Sequence, residues 1–255
     1  MNLALPSEGL ERYHSASQRA RIATEGWAVS SLYCANCDSP ALNPAPVNMP
    51  AIDFDCPRCD ALFQLKGQSR PVGGRIPDAA YSAMKRAIEE DRTPNLFVLH
   101  YEMESWRVRN LFLVPQFAFS LAAIEKRKPL ADTARRHGWV GCTIVLSNIP
   151  PDAKIPIISN GAFRLPCAVR AQYRKLRPLQ NLGIKRRGWT LDVLNALRTL
   201  KKKEFALNDA YSLAGELSKL HPHNQHVHDK IRQQLQELRD LSFLEFVSRG
   251  NYRFT

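Results

Sequence analysis

The chain has 255 residues, 44% of them apolar and 24% charged, with Lys+Arg 36 against Asp+Glu 24 and a formal charge of +12. That composition excludes a disordered chain, and the length suffices for one large domain or a main domain with a satellite. No apolar run approaches the ~18 residues of a membrane span, and the start Met1–Pro6 lacks a secretion signal's basic and apolar regions. A non-secreted, cytoplasmic protein is therefore expected.

A basic surplus favours a polyanionic partner, because clustered Lys and Arg release counterions from phosphates. The surplus is denser toward the C-terminus, where residues 181–255 hold 13 basic and 8 acidic side chains.

The first motif along the chain is C-x2-C-x18-C-x2-C, formed by Cys34, Cys37, Cys56 and Cys59. Two knuckles at this separation match a four-thiolate zinc site, in which each turn directs two sulfurs at one tetrahedral ion. A pair of disulfides is the alternative, and the expected reducing compartment argues against it. Cys142 and Cys167 read as small buried apolar residues.

Around the second knuckle, Ala51–Phe54 and Ala61–Lys66 read as short strands. In such a hairpin Gln64 and Lys66 share a strand face, and Asp53 lies on the neighbouring strand. An acid, a second oxygen donor and a lysine are what a metal-dependent nuclease needs: oxygens to hold Mg2+ and a lysine to orient the attacking water. By itself Asp-x10-Gln-x-Lys is a very weak signal, and a polar surface hairpin is the better reading of it. The zinc knuckle inside it favours a braced site.

Downstream, the spacing of Ala80, Met84, Ala87 and Ile88 predicts a helix over Asp78–Glu90. Leu96–Leu99 and Val108–Val114 read as strands around a turn at Met103–Ser105, with further strands at Thr143–Leu146 and Ile155–Ile158. Helix mixed with strand over roughly residues 1–165 predicts an α/β or α+β domain, taken to run over 1–180, with 168–188 as a basic connecting segment into the next.

From Trp189 the periodicity turns helical three times. Thr190 caps a first helix carrying Leu191, Leu194 and Leu197; Asn208 caps a second with Tyr211, Leu213 and Leu217. Asn224 caps a third, where Val227, Ile231, Leu235 and Leu238 form an apolar face. Phe243–Val247 and Tyr252–Thr255 then alternate around a turn, as a hairpin. Three helices and a hairpin predict a winged helix-turn-helix over 181–255. Its third helix presents Gln225, His228, Arg232 and Gln236 opposite the core; Gln can read adenine and Arg guanine. Arg249 stands at the wing tip for a phosphate. The cluster His221, His223, His226 and His228 resembles a metal site, but the winged-helix pattern argues against one.

Many stretches together resemble the methyl-directed type II restriction endonucleases of the DpnI family. They include Ser17–Ile22 with Thr24–Trp27, the four knuckle cysteines, Arg127–Ala131, Thr133–Cys142, Arg187–Thr190 and the long run Asp229–Asp240. The resemblance implies a PD-(D/E)xK nuclease domain with a structural Zn2+, followed by a winged helix. It implies Mg2+-dependent cleavage of double-stranded DNA at GATC with N6-methylated adenine, both domains sensing the methyl group. Asp53 and position 64 would then hold Mg2+, Lys66 would assist the water, and Trp139 would lie near the methyl group; a core tryptophan is the alternative for Trp139. The chain departs from the family at one point: Gln64 stands where the pattern has glutamate. Either Gln64 serves as ligand with help from Asp53, a backbone carbonyl and Glu25, or the chain binds methylated DNA without cutting it. A nuclease with another target is a further alternative. The sequence leaves the number of copies open, and a monomer is compatible with it.

Overall fold

The structure is a computed structural model that describes residues 2–46, 49 and 51–255. Helix α1 (Ala16–Ser31) comes first and lays Ala23, Trp27 and Ala28 into the core. Then follow β1 (Asn43–Pro44), β2 (Phe54–Asp55), β3 (Leu62–Gln68), β4 (Arg75–Ala80), α2 (Tyr81–Glu89), β5 (Asn95–Glu102) and β6 (Arg107–Val114). Three short strands, β7 (Ile124–Lys126), β8 (Gly141–Val145) and β9 (Ile155–Ser159), lead to β10 (Ala162–Phe163) and α3 (Pro166–Leu176).

The main sheet has seven strands in the order β1-β2-β3-β5-β6-β9-β10. Its centre is β5, whose Leu96–Leu99 run is buried on both faces, as a continuous apolar strand must be. β3 and β5 are parallel, and the other neighbours in this sheet are antiparallel. A parallel pair needs a crossover. Here β4 and α2 provide it, and β4 leaves the main sheet to join a second one ordered β4-β8-β7. This is the mixed α/β domain expected from the sequence.

Two boundaries differ from expectation. The helix expected over Asp78–Glu90 begins at Tyr81. Met84 and Ile88 do form its buried stripe, but Arg75–Ala80 is strand, pairing antiparallel with β8 some sixty residues downstream. The segment 168–188 is not an open connection. α3 occupies its first half, a 3-10 turn spans Arg177–Asn181, and α4 (Ile184–Thr199) has begun before residue 188. Val169, Tyr173 and Leu176 are buried, and the Tyr173 hydroxyl donates to Asn95 Oδ1 at 2.9 Å, so α3 packs on the main sheet.

After α4 come β11 (Glu204–Ala206), α5 (Leu207–Tyr211), α6 (Ala214–Leu220), α7 (Val227–Asp240), β12 (Leu244–Ser248) and β13 (Asn251–Phe254). Helix, strand, broken helix, helix and hairpin is the winged-helix order, with β11 adding a third strand to the wing sheet β11-β13-β12. Thr190 does not cap α4. It lies inside the helix, its hydroxyl donating to Arg186 O at 2.9 Å and to Gln234 Oε1 at 2.7 Å. Nor does Asn208 cap the second helix, which breaks at Ser212–Leu213; the Ala206 N–H instead bonds Asp209 Oδ2 at 2.8 Å. Asn224 precedes α7 in a turn, accepting the His226 N–H at 2.8 Å. Among the described residues no helix is long and apolar enough to cross a membrane.

Candidate active site, zinc knuckle and DNA-binding surface

Cys34, Cys37, Cys56 and Cys59 place all four sulfurs within 4.8 Å of one another. The Cys34–Cys59 and Cys37–Cys56 separations are 3.7 and 3.5 Å. Zn–S bonds of about 2.3 Å in a tetrahedron set sulfurs ~3.75 Å apart, and disulfide sulfurs would be ~2.05 Å apart. The geometry is that of a metal cluster, and the four residues could hold a structural Zn2+. Thiolates in such a site need donors, and the N–H groups of Cys37, Ser39 and Arg58 lie 3.4 Å from Cys34, Cys37 and Cys56 Sγ respectively. Arg170 of α3 closes over the first knuckle, donating to the carbonyls of Cys34 and Ser39 at 2.9 Å each. Of the remaining cysteines, Cys142 is buried as expected; Cys167 is exposed on the first turn of α3.

Between the knuckles the chain is tied to the sheet. Asp53 donates its N–H to Phe63 O and accepts from Ala45 N, both at 2.9 Å. Its Oδ2 receives the Leu65 N–H at 2.7 Å. Ala51 has φ 60, so extended chain begins only after it and the regular strand is shorter than Ala51–Phe54. Burial pushes the Asp53 carboxyl above its ordinary pKa; the Leu65 N–H opposes the shift and the Glu25 carboxylate reinforces it. Gln64 and Lys66 share one face of β3. Gln64 is buried, and Lys66 is half-buried.

Asp53, Gln64 and Lys66 line one cleft, together with Glu25 of α1. α1 reaches this close because of Gly67, where a Cβ would lie only 3.1 Å from the Thr24 side chain. Glu25 pairs with Arg21 at 2.7 Å. A fifth residue, absent from the sequence reading, enters from β4. Asp78 is buried, and its Oδ1 accepts Lys66 Nζ at 2.6 Å and Gln64 Nε2 at 3.0 Å. A carboxylate only accepts, so the Gln64 amide nitrogen must face Asp78 and its oxygen must point elsewhere. No local signal marks Asp78: the Pro77 before it suits a helix start as well as an edge strand.

Two family profiles account for almost the whole length. DpnI, described as the Dam-replacing family, matches residues 1–182, and DpnI_C, the Dam-replacing HTH domain, matches residues 185–254. The chain belongs to the DpnI family. Its mixed α/β domain is thus the nuclease domain of that family and its C-terminal part the helix-turn-helix domain, which implies a DNA partner.

In this DpnI-family chain the third helix of the winged helix is α7. Ile231, Leu235 and Leu238 are fully buried, and Gln225, His228, Arg232 and Gln236 are all exposed. Gln225 precedes the helix, and the His228 ring stacks on Tyr211 at 4.6 Å. Arg249 is exposed at the tip of the wing, before Gly250 at φ 75. Among the described residues these histidines form no group of three or more that could hold a metal; His221 stacks on Trp189 at 3.6 Å and bonds Asp192 Oδ2 at 2.9 Å. In the nuclease domain Trp139 is half-buried rather than a core residue. Its ring lies 2.8 Å from where a Cβ on Gly141 would be, and the Arg136 guanidinium is 5.1 Å from the ring centroid.

Proposed function

We propose that this protein is a type II restriction endonuclease that hydrolyses double-stranded DNA at GATC sites carrying N6-methyladenine, with Mg2+ as its catalytic cofactor. The observation that carries this reading is the convergence of Asp53, Gln64 and Lys66 on one cleft of a DpnI-family nuclease domain. The donor set fits a hard cation. Asp53 keeps Oδ1 free of any hydrogen bond among the described residues, and the buried Asp78 Oδ2 has no partner there either. Gln64 adds an amide oxygen. When bound, Mg2+ lowers the pKa of the attacking water and neutralises charge on the phosphate. Asp53 is fixed for its task by the Leu65 N–H. Lys66, held by Asp78 at the cleft wall, orients the water and a phosphate oxygen. Arg21 at the rim meets the backbone.

The winged helix supplies sequence-directed binding: Gln225, His228, Arg232 and Gln236 face the major groove, and Arg249 contacts phosphate. One methyl group contributes only about 1 kcal/mol by burial, so discrimination needs two sensors in series. Trp139, with an exposed part of its ring, is the nuclease-domain sensor in this reading.

Incubating the protein and Mg2+ with two plasmids, GATC-methylated and unmethylated, tests the proposal. Fragments from the methylated plasmid alone are expected. Gln64 favours one rival reading, a protein that binds methylated DNA without cutting. Bound but intact methylated plasmid would establish that rival, and cutting of differently modified or unmodified DNA would establish another target. Gln64→Glu separates the readings further. It sets two carboxylates within hydrogen-bond range, so it should lower the melting temperature without metal and tighten Mg2+ binding.

A further inference from the structure

Nucleases with a carboxylate pair hold their cation with two negative charges, and Gln64 leaves Asp53 without its expected partner. The missing charge is present one strand away. We infer that Asp78 is a cation ligand of this cleft, supplying with Asp53 the second carboxylate that position 64 lacks. This rests on the nuclease reading above.

Three features of Asp78 carry the inference. Its side chain is wholly buried, yet Pro77, Asp78 and Ala79 line the same cleft as Asp53. The β4–β8 register slips between Asp78 and Ala80, an irregularity of the kind that re-aims a side chain. Its two oxygens are used unequally: Oδ1 takes both Lys66 Nζ and Gln64 Nε2, and Oδ2 has no partner among the described residues. A buried carboxylate kept only as the counter-ion of Lys66 would be expected to satisfy both oxygens, because a buried acceptor without a partner is destabilising. A buried oxygen without a partner, in a residue that lines the cleft, is suited to a cation.

The same geometry changes the meaning of Gln64. A glutamate there would oppose Asp78, whereas the amide donates to it and fixes its orientation. Gln64 is thus matched to a carboxylate on β4. The residue is not a damaged ligand, and the site keeps two charges with one of them relocated.

The test reads metal binding directly. Zinc-loaded protein is titrated with Mn2+, and free Mn2+ is followed by its paramagnetic resonance signal. Wild-type protein is expected to bind one ion, and Asp78→Asn and Asp53→Asn each to weaken it about tenfold or more. Adding Gln64→Glu to Asp78→Asn should restore most of the affinity. Wild-type affinity in Asp78→Asn would overturn the inference and leave Asp78 as the partner of Lys66 alone. Identical titrations of wild type and Asp53→Asn would instead overturn the metal-dependent nuclease reading. Should Asp78→Asn lose its fold, the anomalous Mn2+ peak in wild-type crystals decides. A peak bonded to both Asp53 and Asp78 supports the assignment, and one bonded to Asp53 without Asp78 overturns it.

Discussion

At the scale of single residues, the cleft stores unfavourable charge. Burial raises the Asp53 pKa, so in metal-free protein the folded state binds its proton more readily than the unfolded chain does. The sign follows: metal-free stability falls as pH rises from the ordinary aspartate range through the raised value, and is constant above it. The wild-type-minus-Asp53→Asn difference should carry that slope, and the variant should melt at the higher temperature without metal above pH 7. Calorimetry at several pH values without divalent ions checks it. An unchanged difference would mean that Asp53 is better solvated than its position indicates.

That Asp53, Gln64 and Lys66 would meet on one cleft was legible in the sequence, because a hairpin's period of two is local information. Asp78 was not. Its strand, Arg-Ile-Pro-Asp-Ala-Ala, lacks alternation of its own and exists because β8 pairs with it from far along the chain. The spacing of Ala80, Met84, Ala87 and Ile88 continues a helical pattern backward past the real start. Nothing within ten residues of Asp78 marks it as facing Lys66.

Among the elements, the knuckle and α7 illustrate what spacing can and cannot tell. Cysteine spacing alone specified a cluster that the fold closes, with Arg170 of α3 clamping it. Stripping the zinc, or Cys59→Ser, should lower the melting temperature by about 10 °C or more, because structural thiolate sites contribute folding energy outright. Scanning calorimetry with and without a chelator reads this. In α7 the period of 3.6 separated buried Ile231, Leu235 and Leu238 from exposed Arg232 and Gln236. It did not reveal that Gln234 turns inward to meet Thr190, since that bond depends on the placement of α4. The start of α4 was misplaced for a related reason: Lys185, Arg186 and Arg187 followed by Gly188 carry no apolar period, although Arg187 is buried. Arg232→Ala should weaken binding to methylated duplex by about 1–3 kcal/mol and relax the preference at one base pair, if Arg232 reads a base edge. Competition binding against single-base variants measures it; a uniform loss with a shallower salt dependence would make Arg232 a phosphate contact.

Over the whole molecule, the two parts meet through paired polar groups rather than a loose tether. Buried Arg187 grips Asp91 with two hydrogen bonds, and Arg198 does the same to Asp152 while lying 3.7 Å from the Phe254 ring. Buried Asp192 accepts from Ser120 Oγ at 2.9 Å on one side and contacts His221 on the other. Arg187→Ala empties a buried space while Asp91 stays partly solvated, so it should destabilise the protein by about 2–4 kcal/mol. It should also increase protease sensitivity around residues 177–183, which limited proteolysis would show.

The position of the knuckle in the chain has a consequence for biosynthesis. All four cysteines have left the ribosome before any of the main sheet's central pairs can form, whereas Arg170 and Tyr173 follow more than a hundred residues later. A zinc ion taken up at that stage would be held by a nascent segment, with α3 closing over it afterwards.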